Sequence, residues 1–489
     1  MERAPRADLT RALLLGGLAG LSTLLAGNVV YRPFLIGTIA ALVLVPLSWW
    51  LVSGPDRWVL AFLPAVLLLP PLPLPWGDAG PHPSIVVAAV GLWAGIARLG
   101  AWQFRYRPVS VGLCLLLFSL LLSLLPAALY SGAELAVESL ARILLFTIAF
   151  YLFFYLADGP GRDFDAGRLV RLLFWAGLAV SVFACLDFYF QLPAPARFAE
   201  QFVWLPGGVF RRAQGLFYEA STLGLFCVFL LVMIAAIALF RTGRWLRIRS
   251  AWLIAGGVAA LAALVLSFSR TSLVALGVSL VVMLWLERRR FEFARKLARL
   301  SAIVLACASG VVAILYWSMP QFLEMSLMRF WYSGLYLLEA PNAVLSRRLE
   351  SWNFLLGFLY DHPWHAILGI GYKTLPYSAF AGEPLVADNT YLSLLIETGL
   401  LGLSALLFVH FSVLKSTYRV ALAHRSSEGR GLGRMLAVCM FSFWCGFAVQ
   451  MLSGDVLTYW RILPAFLALL AVTLRDLEND KDPVSGSVL

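Results

Sequence analysis

Long apolar runs with no charge inside them restrict this chain more than any other feature. The stretch 219–240 reads E-A-S-T-L-G-L-F-C-V-F-L-L-V-M-I-A-A-I-A-L-F and carries no charge after its first residue. Crossing the hydrocarbon core of a bilayer takes about 20 mostly apolar residues in a helix. Runs of that kind recur at 9–26, 34–52, 58–74, 84–98, 109–129, 138–157, 169–190, 219–240, 251–268, 271–286, 298–317, 390–413, 435–453 and 455–474. Pro64, Pro70, Pro71, Pro73 and Pro75 crowd the third run, and the fourth is short. Only 13% of the residues are charged and 61% are hydrophobic, whereas a soluble domain carries about 25% charge. The expected fold class is therefore an all-α polytopic membrane protein of about 14 spans. Its first apolar run offers no small-residue cleavage site and reads as a span rather than a cleaved signal.

The basic residues orient those spans. Cytoplasmic loops carry an excess of lysine and arginine. With Arg3, Arg6 and Arg11 inside, alternate loops hold Arg98, Arg105 and Arg107, then Arg241, Arg244, Arg247 and Arg249, then Arg288, Arg289, Arg290, Arg295, Lys296 and Arg299. This accounts for the net charge of +11 as topology, with no nucleic-acid partner. Both termini are expected in the cytoplasm. The chain divides into N-terminal spans (1–200), spans carrying arginine motifs (201–317), a long outer loop with interfacial helices (318–389), C-terminal spans (390–474) and a cytoplasmic tail (475–489). All six cysteines lie in apolar stretches without a C-x-x-C pair, so neither a disulfide framework nor a zinc site is indicated.

Positive charge placed against that bias points to an anion on the outer face. Arg197, Arg211 and Arg212 precede the eighth run, Arg270 sits in the tight turn after the ninth, and Arg329, Arg347, Arg348 and Lys373 lie in the long outer loop. A guanidinium beside a membrane is costly unless paired, and its planar fork suits phosphate oxygens. For Arg270 the alternative is a salt bridge to a carboxylate such as Glu219. For Arg211 and Arg212 it is interfacial anchoring. Arg347 and Arg348 are adjacent, so on a helix they point about 100° apart and one of them faces a shared site.

Asp388 is the candidate base, because a carboxylate is ionised at neutral pH and able to accept a proton. Asp388 or Asn389 also stands where a helix N-cap belongs, before T-Y-L-S-L-L, and capping is the simpler role. His362 and His365 flank Pro363-Trp364 without a third ligand. They read as hydrogen-bonded structural histidines, with His362 a reserve base. Glu397 lies within the twelfth run, paired in the bundle or facing a cavity. No nucleotide loop, H-E-x-x-H or nucleophile elbow is present.

Taken in order, R-A-Q-G-L-F-Y-E-A-S (212–221), S-F-S-R-T-S (267–272), S-R-R-L-E-S-W (346–352), H-P-W-H-A-I-L-G-I-G (362–371) and D-N-T-Y-L-S-L-L-I-E-T-G-L-L-G (388–402) resemble the O-antigen ligase and O-antigen polymerase superfamily over roughly 205–455. The resemblance implies a GT-C-type membrane glycosyltransferase fold in the bacterial inner membrane with its active site towards the periplasm. It implies a metal-independent, inverting transfer from an undecaprenyl-pyrophosphate-linked glycan to an acceptor glycan or lipid, with no cofactor. Partners in polysaccharide assembly are compatible with it. Carried onto this chain, Asp388, Arg270 and Arg212 are the catalytic residues. Arg211, Glu219, Arg347, Arg348, His362, Asn389 and Tyr391 are the substrate-binding ones. Ligases commonly have a histidine where this chain has Asp388, which leans the expectation towards a polymerase of O-antigen or exopolysaccharide repeat units, with a ligase second. A flippase of lipid-linked sugars is the reading from another class, and it would set its cations deep within spans, where only Arg142 and Arg461 lie.

Overall fold

A computed structural model describes residues 46–72, 82–192, 201–205, 208–288, 293–318, isolated positions between 320 and 339, 348–382, 385–423 and 431–479. The first apolar run, most of the second, Arg197, Arg347 and most of the interfacial helix expected after residue 318 lie outside the described residues. Among those described, seven helices are long and apolar enough to cross a membrane, or eight if one bent pair counts as a span. That is fewer than the fourteen runs suggest. The bent pair, α1 (Pro46–Ser53) and α2 (Arg57–Leu68), turns by 117°. Four of the runs become apolar helices too short to pass alone.

The long helices are α4 (Pro108–Leu122, continuing to Ser131), α5 (Ala133–Ala157), α6 (Ala166–Phe190), α7 (Ala220–Phe240), α9 (Arg270–Glu287), α13 (Thr390–Ala423) and α14 (Gly431–Gln450). Shorter apolar ones are α3 (Pro83–Ile96), α8 (Ser250–Leu266), the body of α10 (Phe293–Ser318) and α15 (Leu463–Asn479). Helix α7 is apolar on every side and nearly all of it is buried, so it lies inside the bundle. Helix α9 differs: it buries one narrow stripe, Ser272, Ala275, Ser279, Met283 and Glu287, at helical spacing. Small residues let backbones approach closely where lipid offers no hydrophobic drive to associate. A Cβ on Gly446 of α14 would stand 2.1 Å from Ser279 Oγ, and one on Gly224 of α7 would stand 2.6 Å from Ser272 Oγ. This small-residue seam locks the first turn of α9, which carries Arg270, against the first turn of α7.

Three local features depart from the expectation. A two-stranded antiparallel hairpin, β1 (Phe202–Leu205) and β2 (Gly208–Arg211), pairs Phe202 with Arg211 just before the eighth span. The run 455–474 is not one helix: residues 451–462 form short turns, and α15 starts only at Leu463. Helix α13 is interrupted at Gly399, whose φ is +70°. Two short helices of the outer loop, α11 (Arg348–Asp361) and α12 (His365–Leu368), lie ahead of that break. The segment after α12 enters it, with Ile370 N donating to Ile396 O at 2.9 Å and Gly371 N to Glu397 O at 2.9 Å. A Cβ at Gly399 would meet Ile367 O at 2.1 Å, and one at Gly369 would meet Glu397 O at 2.3 Å. Only glycine fits both sides of the contact.

Candidate active site

The starts of α7, α9 and α13 and the end of α14 converge at one end of the bundle, and the polar side chains there are joined by hydrogen bonds. At the head of α13, Asn389 Oδ1 accepts from Tyr391 N at 3.0 Å and Leu392 N at 3.1 Å. Asn389 is therefore the cap. Asp388, one residue earlier, sits at φ +45° and its carboxylate accepts from Arg348 instead of capping. Arg348 at the start of α11 donates from Nε to Asp388 Oδ2 at 3.2 Å and from its terminal nitrogen to Ser453 Oγ. Ser453 Oγ lies 2.6 Å from Thr271 Oγ1, one residue beyond Arg270. A continuous chain thus runs from Asp388 through Arg348 and Ser453 to the first turn of α9.

Arg212 approaches the same turn from the hairpin. Its Nε donates to Ser267 O at 2.8 Å, and Ala213 N donates to Leu266 O at 3.0 Å. Both sequence-predicted arginines, Arg212 and Arg270, therefore bracket the turn 267–270, in which Phe268 adopts φ +52°. Arg211 is engaged elsewhere. It is buried, donates to Asp187 Oδ1 at 2.6 Å, and reaches the carbonyl of Leu192. This is a structural ion pair fixing β2 to α6, and the expected substrate role does not fit it.

Glu219 holds the N-cap position of α7 without capping it; Gln201 Oε1 from the hairpin accepts from Ala220 N at 2.9 Å instead. Its carboxyl accepts from Thr222 Oγ1 at 2.7 Å. Burial pushes the Glu219 carboxyl up to about 7; the Thr222 hydrogen bond opposes this, the Asp455 charge adds to it, and Tyr459 and Asp388 follow with smaller effects. The ion pair to Arg270 offered by the sequence is not among the bonds described for it. Behind the elbow, Lys373 pairs with Asp455, and Ser393 Oγ bridges Glu397 Oε2 at 3.1 Å and Asp455 Oδ2 at 3.4 Å. Thr390 Oγ1 donates to Gly454 O at 2.7 Å and accepts from Val456 N at 3.0 Å, tying the elbow to the 453–456 turn. Tyr218, Phe268, Lys373 and Asp388 all have positive φ at this end. Strained backbone of this kind collects where surrounding structure over-determines it, commonly at functional sites.

Two expected residues lie away from the cluster. Tyr391 turns into the bundle, its hydroxyl donating to Ala448 O at 3.0 Å. His362 closes α11, about 20 Å along the helix axis from Arg348. There its Nδ1 donates to Phe358 O at 3.2 Å, and its ring neighbours His365 in an aromatic group with Phe358, Phe380 and Tyr130. Sequence reasoning did not find Ser453, Asp455 and Tyr459, although S-G-D between two apolar runs is a polar interruption that could have drawn attention. A cavity lined by Trp285, Glu287, Tyr418 and Arg434 lies at the other end of α9, about 27 Å from Arg270 for an 18-residue helix, and holds none of the predicted residues.

The fold and this cluster define an integral membrane protein with arginines and carboxylates gathered at one end of its helices. Residues 255–407 match the family model for O-antigen ligase. That match bears out the resemblance of the chain to the O-antigen ligase and polymerase superfamily, and the matched region contains Arg270, Arg348, Asp388 and Asn389. No curated protein matches the chain.

Proposed function

We propose that this protein is a periplasm-facing glycosyltransferase of the GT-C type that moves a glycan from undecaprenyl pyrophosphate to an acceptor hydroxyl, extending O-antigen or exopolysaccharide repeat units. The single observation that carries the reading is the bonded chain Asp388–Arg348–Ser453–Thr271, which joins a carboxylate to the turn flanked by Arg212 and Arg270. Asp388 takes the proton of the acceptor hydroxyl as its oxygen attacks the anomeric carbon. The bond from that carbon to the diphosphate oxygen breaks, its electron pair leaves with the diphosphate, and in-line displacement inverts the centre. Arginine forks supply charge-assisted bonds to the departing oxygens, where developing charge is best stabilised by pre-positioned donors.

The polymerase reading rests on aspartate at the elbow. A ligase, attaching the glycan to lipid A-core or another acceptor, is favoured by the description of the matched family model itself. A flippase has less support: Arg142 is bound to Lys373 O and Glu138, and Arg461 to backbone carbonyls, so neither lines a crossing path among the described residues. The test is reconstitution of purified protein with lipid-linked repeat units and acceptor, without nucleotide or metal. Longer glycans on the carrier establish a polymerase and transfer to a second lipid establishes a ligase. Absence of both products overturns the reading.

A further inference from the structure

The outer loop contains one piece that a loop in water has no reason to build. From His362 to Tyr372 the chain carries no Asp, Glu, Lys or Arg, and Trp364, Ile367 and Leu368 are exposed. Next to them Leu400 and Leu401 are exposed on α13, just beyond the Gly399 that Ile367 touches. On the other side the ring of Tyr130, at the end of α4, lies 4.9 Å from that of His365. A continuous exposed apolar surface of this kind marks a membrane or protein contact.

Depth decides between the two. Helices α4 and α13 run antiparallel in step: a Cβ on Gly112 would stand 3.0 Å from Val409, and one on Gly402 would stand 3.4 Å from Ser119, seven residues on in each helix. Gly399 is therefore level with Leu122. Helix α4 starts at Pro108, directly after Arg105 and Arg107, where basic residues set the edge of the membrane. The rise from Pro108 to Leu122 places Gly399 about 21 Å from that edge, inside a hydrocarbon core about 30 Å thick. At such depth irregular backbone is tolerated only where protein takes up its hydrogen bonds, and the segment docked there meets that condition. Ile370 N and Gly371 N donate to Ile396 O and Glu397 O, each at 2.9 Å, and Tyr372 N donates to Ser123 Oγ at 3.2 Å. Ser139 Oγ donates to Tyr372 O at 2.6 Å and Arg142 to Lys373 O at 3.0 Å. Lys373 is buried and paired with Asp455, as a charge at membrane depth must be.

We propose that residues 363–373 form a re-entrant foot of the outer loop, set in the outer leaflet with α12 against the acyl chains of phospholipids. Asp361 and His362 stand at its watery end, and Trp364 marks its passage through the headgroup level, where tryptophan is favoured. Ile367 and Leu368 face the chains beside Leu400 and Leu401. The inference goes beyond the transfer reading and does not depend on it: part of the loop lies within the bilayer whatever reaction the elbow carries out.

Nitroxide labels at Ile367→Cys and Leu368→Cys test this in the full chain in phospholipid nanodiscs, with Cys114, Cys185 and Cys445 replaced by alanine so that only the introduced thiol is accessible. Val281→Cys, exposed part-way along α9, is the lipid reference and Asp361→Cys the water reference. Relaxation of each label by oxygen, which concentrates among acyl chains, is compared with relaxation by a nickel chelate, which stays in water. The oxygen-to-nickel ratio at both test positions is expected to match that at Val281→Cys and to exceed that at Asp361→Cys several-fold. A ratio equal to that at Asp361→Cys means a loop in water and overturns the proposal. Labels reached by neither agent mean that protein, a second copy included, covers α12, and this overturns it as well. Both test side chains are exposed, so the substitutions spare the packed core, and agreement between the two positions guards against a local disturbance at either.

Discussion

Arg348 and Asp388, forty positions apart, meet with Nε 3.2 Å from Oδ2. The pair is partly exposed, with side-chain exposures of 26% and 44%, so it is open to solvent and to a ligand. An ion pair this wet contributes little to stability, about 0–1 kcal/mol. Its use is positional: it aims the carboxylate that Asn389 has relieved of capping.

Asp388→Ala and Asp388→Asn are expected to reduce transfer by about 10²–10⁴-fold, the range a positioned general base supplies. Insertion and thermal stability should stay close to wild type, because the pair stabilises so little. Arg348→Ala should also lower turnover, and Arg348→Lys should restore only part of it, since lysine cannot span Asp388 and Ser453 with a planar fork. Single-turnover assays with lipid-linked glycan measure both; normal turnover in Asp388→Ala sinks the assignment.

Asn389 gives a complementary result. Asn389→Ala removes the acceptor for Tyr391 N and Leu392 N and should cost about 1 kcal/mol, whereas Asn389→Asp retains the cap. Chemical or thermal unfolding in detergent separates them. Equal stability of the two variants contradicts the capping role.

Arg211 and Arg212 are neighbours with different fates. Arg211→Ala strands the buried Asp187 carboxylate and should destabilise by about 3–5 kcal/mol, with Asp187→Asn added in the same chain recovering part of it. Arg212→Ala removes the Nε bond to the Ser267 carbonyl and strands no buried carboxylate of the Asp187 kind, so it should cost less stability than Arg211→Ala while lowering transfer. Thermal midpoints against specific activity, plotted for the two variants, test the split.

The apolar runs were readable because a bilayer demands about 20 uncharged residues in succession, and that demand leaves little freedom. Composition could not say where the last run bends. The residues V-L-T-Y-W-R-I look like a span, but Arg461 donates to the carbonyls of Val66, Leu69 and Leu216 and holds the chain in turns. The hairpin at 202–211 left a signal in Pro206-Gly207-Gly208 between V-W and V-F, a turn flanked by β-formers. The choice between Asp388 and Asn389 as cap was not legible, since both residue types cap well; the bonds from Tyr391 N and Leu392 N to Asn389 Oδ1 decide it. Arg348, Ser453 and Thr271 come from three separate segments, and only tertiary packing joins them.

Stability should respond to pH through Glu219. Its carboxyl is raised from 4.5 to about 7 in the folded chain by burial, so the folded state binds the proton more tightly than the unfolded one. Stability therefore falls as pH rises through that window, the reverse of a salt-bridged carboxylate. Glu219→Gln, which cannot ionise, should match or exceed wild type above about pH 7 and lose that advantage near pH 5. Melting curves of both proteins across this range measure it, and a difference independent of pH contradicts the buried acid.

The break in α13 supplies the last expectation. Gly369 and Gly399 interlock, each where a Cβ would press into the other segment's carbonyl, and both have positive φ, at +75° and +70°. Alanine at either site meets backbone that cannot move aside and also pays for the left-handed conformation. The docked segment 369–373 carries Lys373 to Asp455 and sits beside the short half of α13 that starts at the elbow. Gly399→Ala should therefore lower stability by several kcal/mol and abolish transfer, although it touches neither Asp388 nor an arginine. Gly100→Ala, with nothing within 4 Å of its added carbon, is the matched control and should leave both unchanged. If Gly399→Ala keeps its melting temperature and turnover, the elbow does not depend on this interlock.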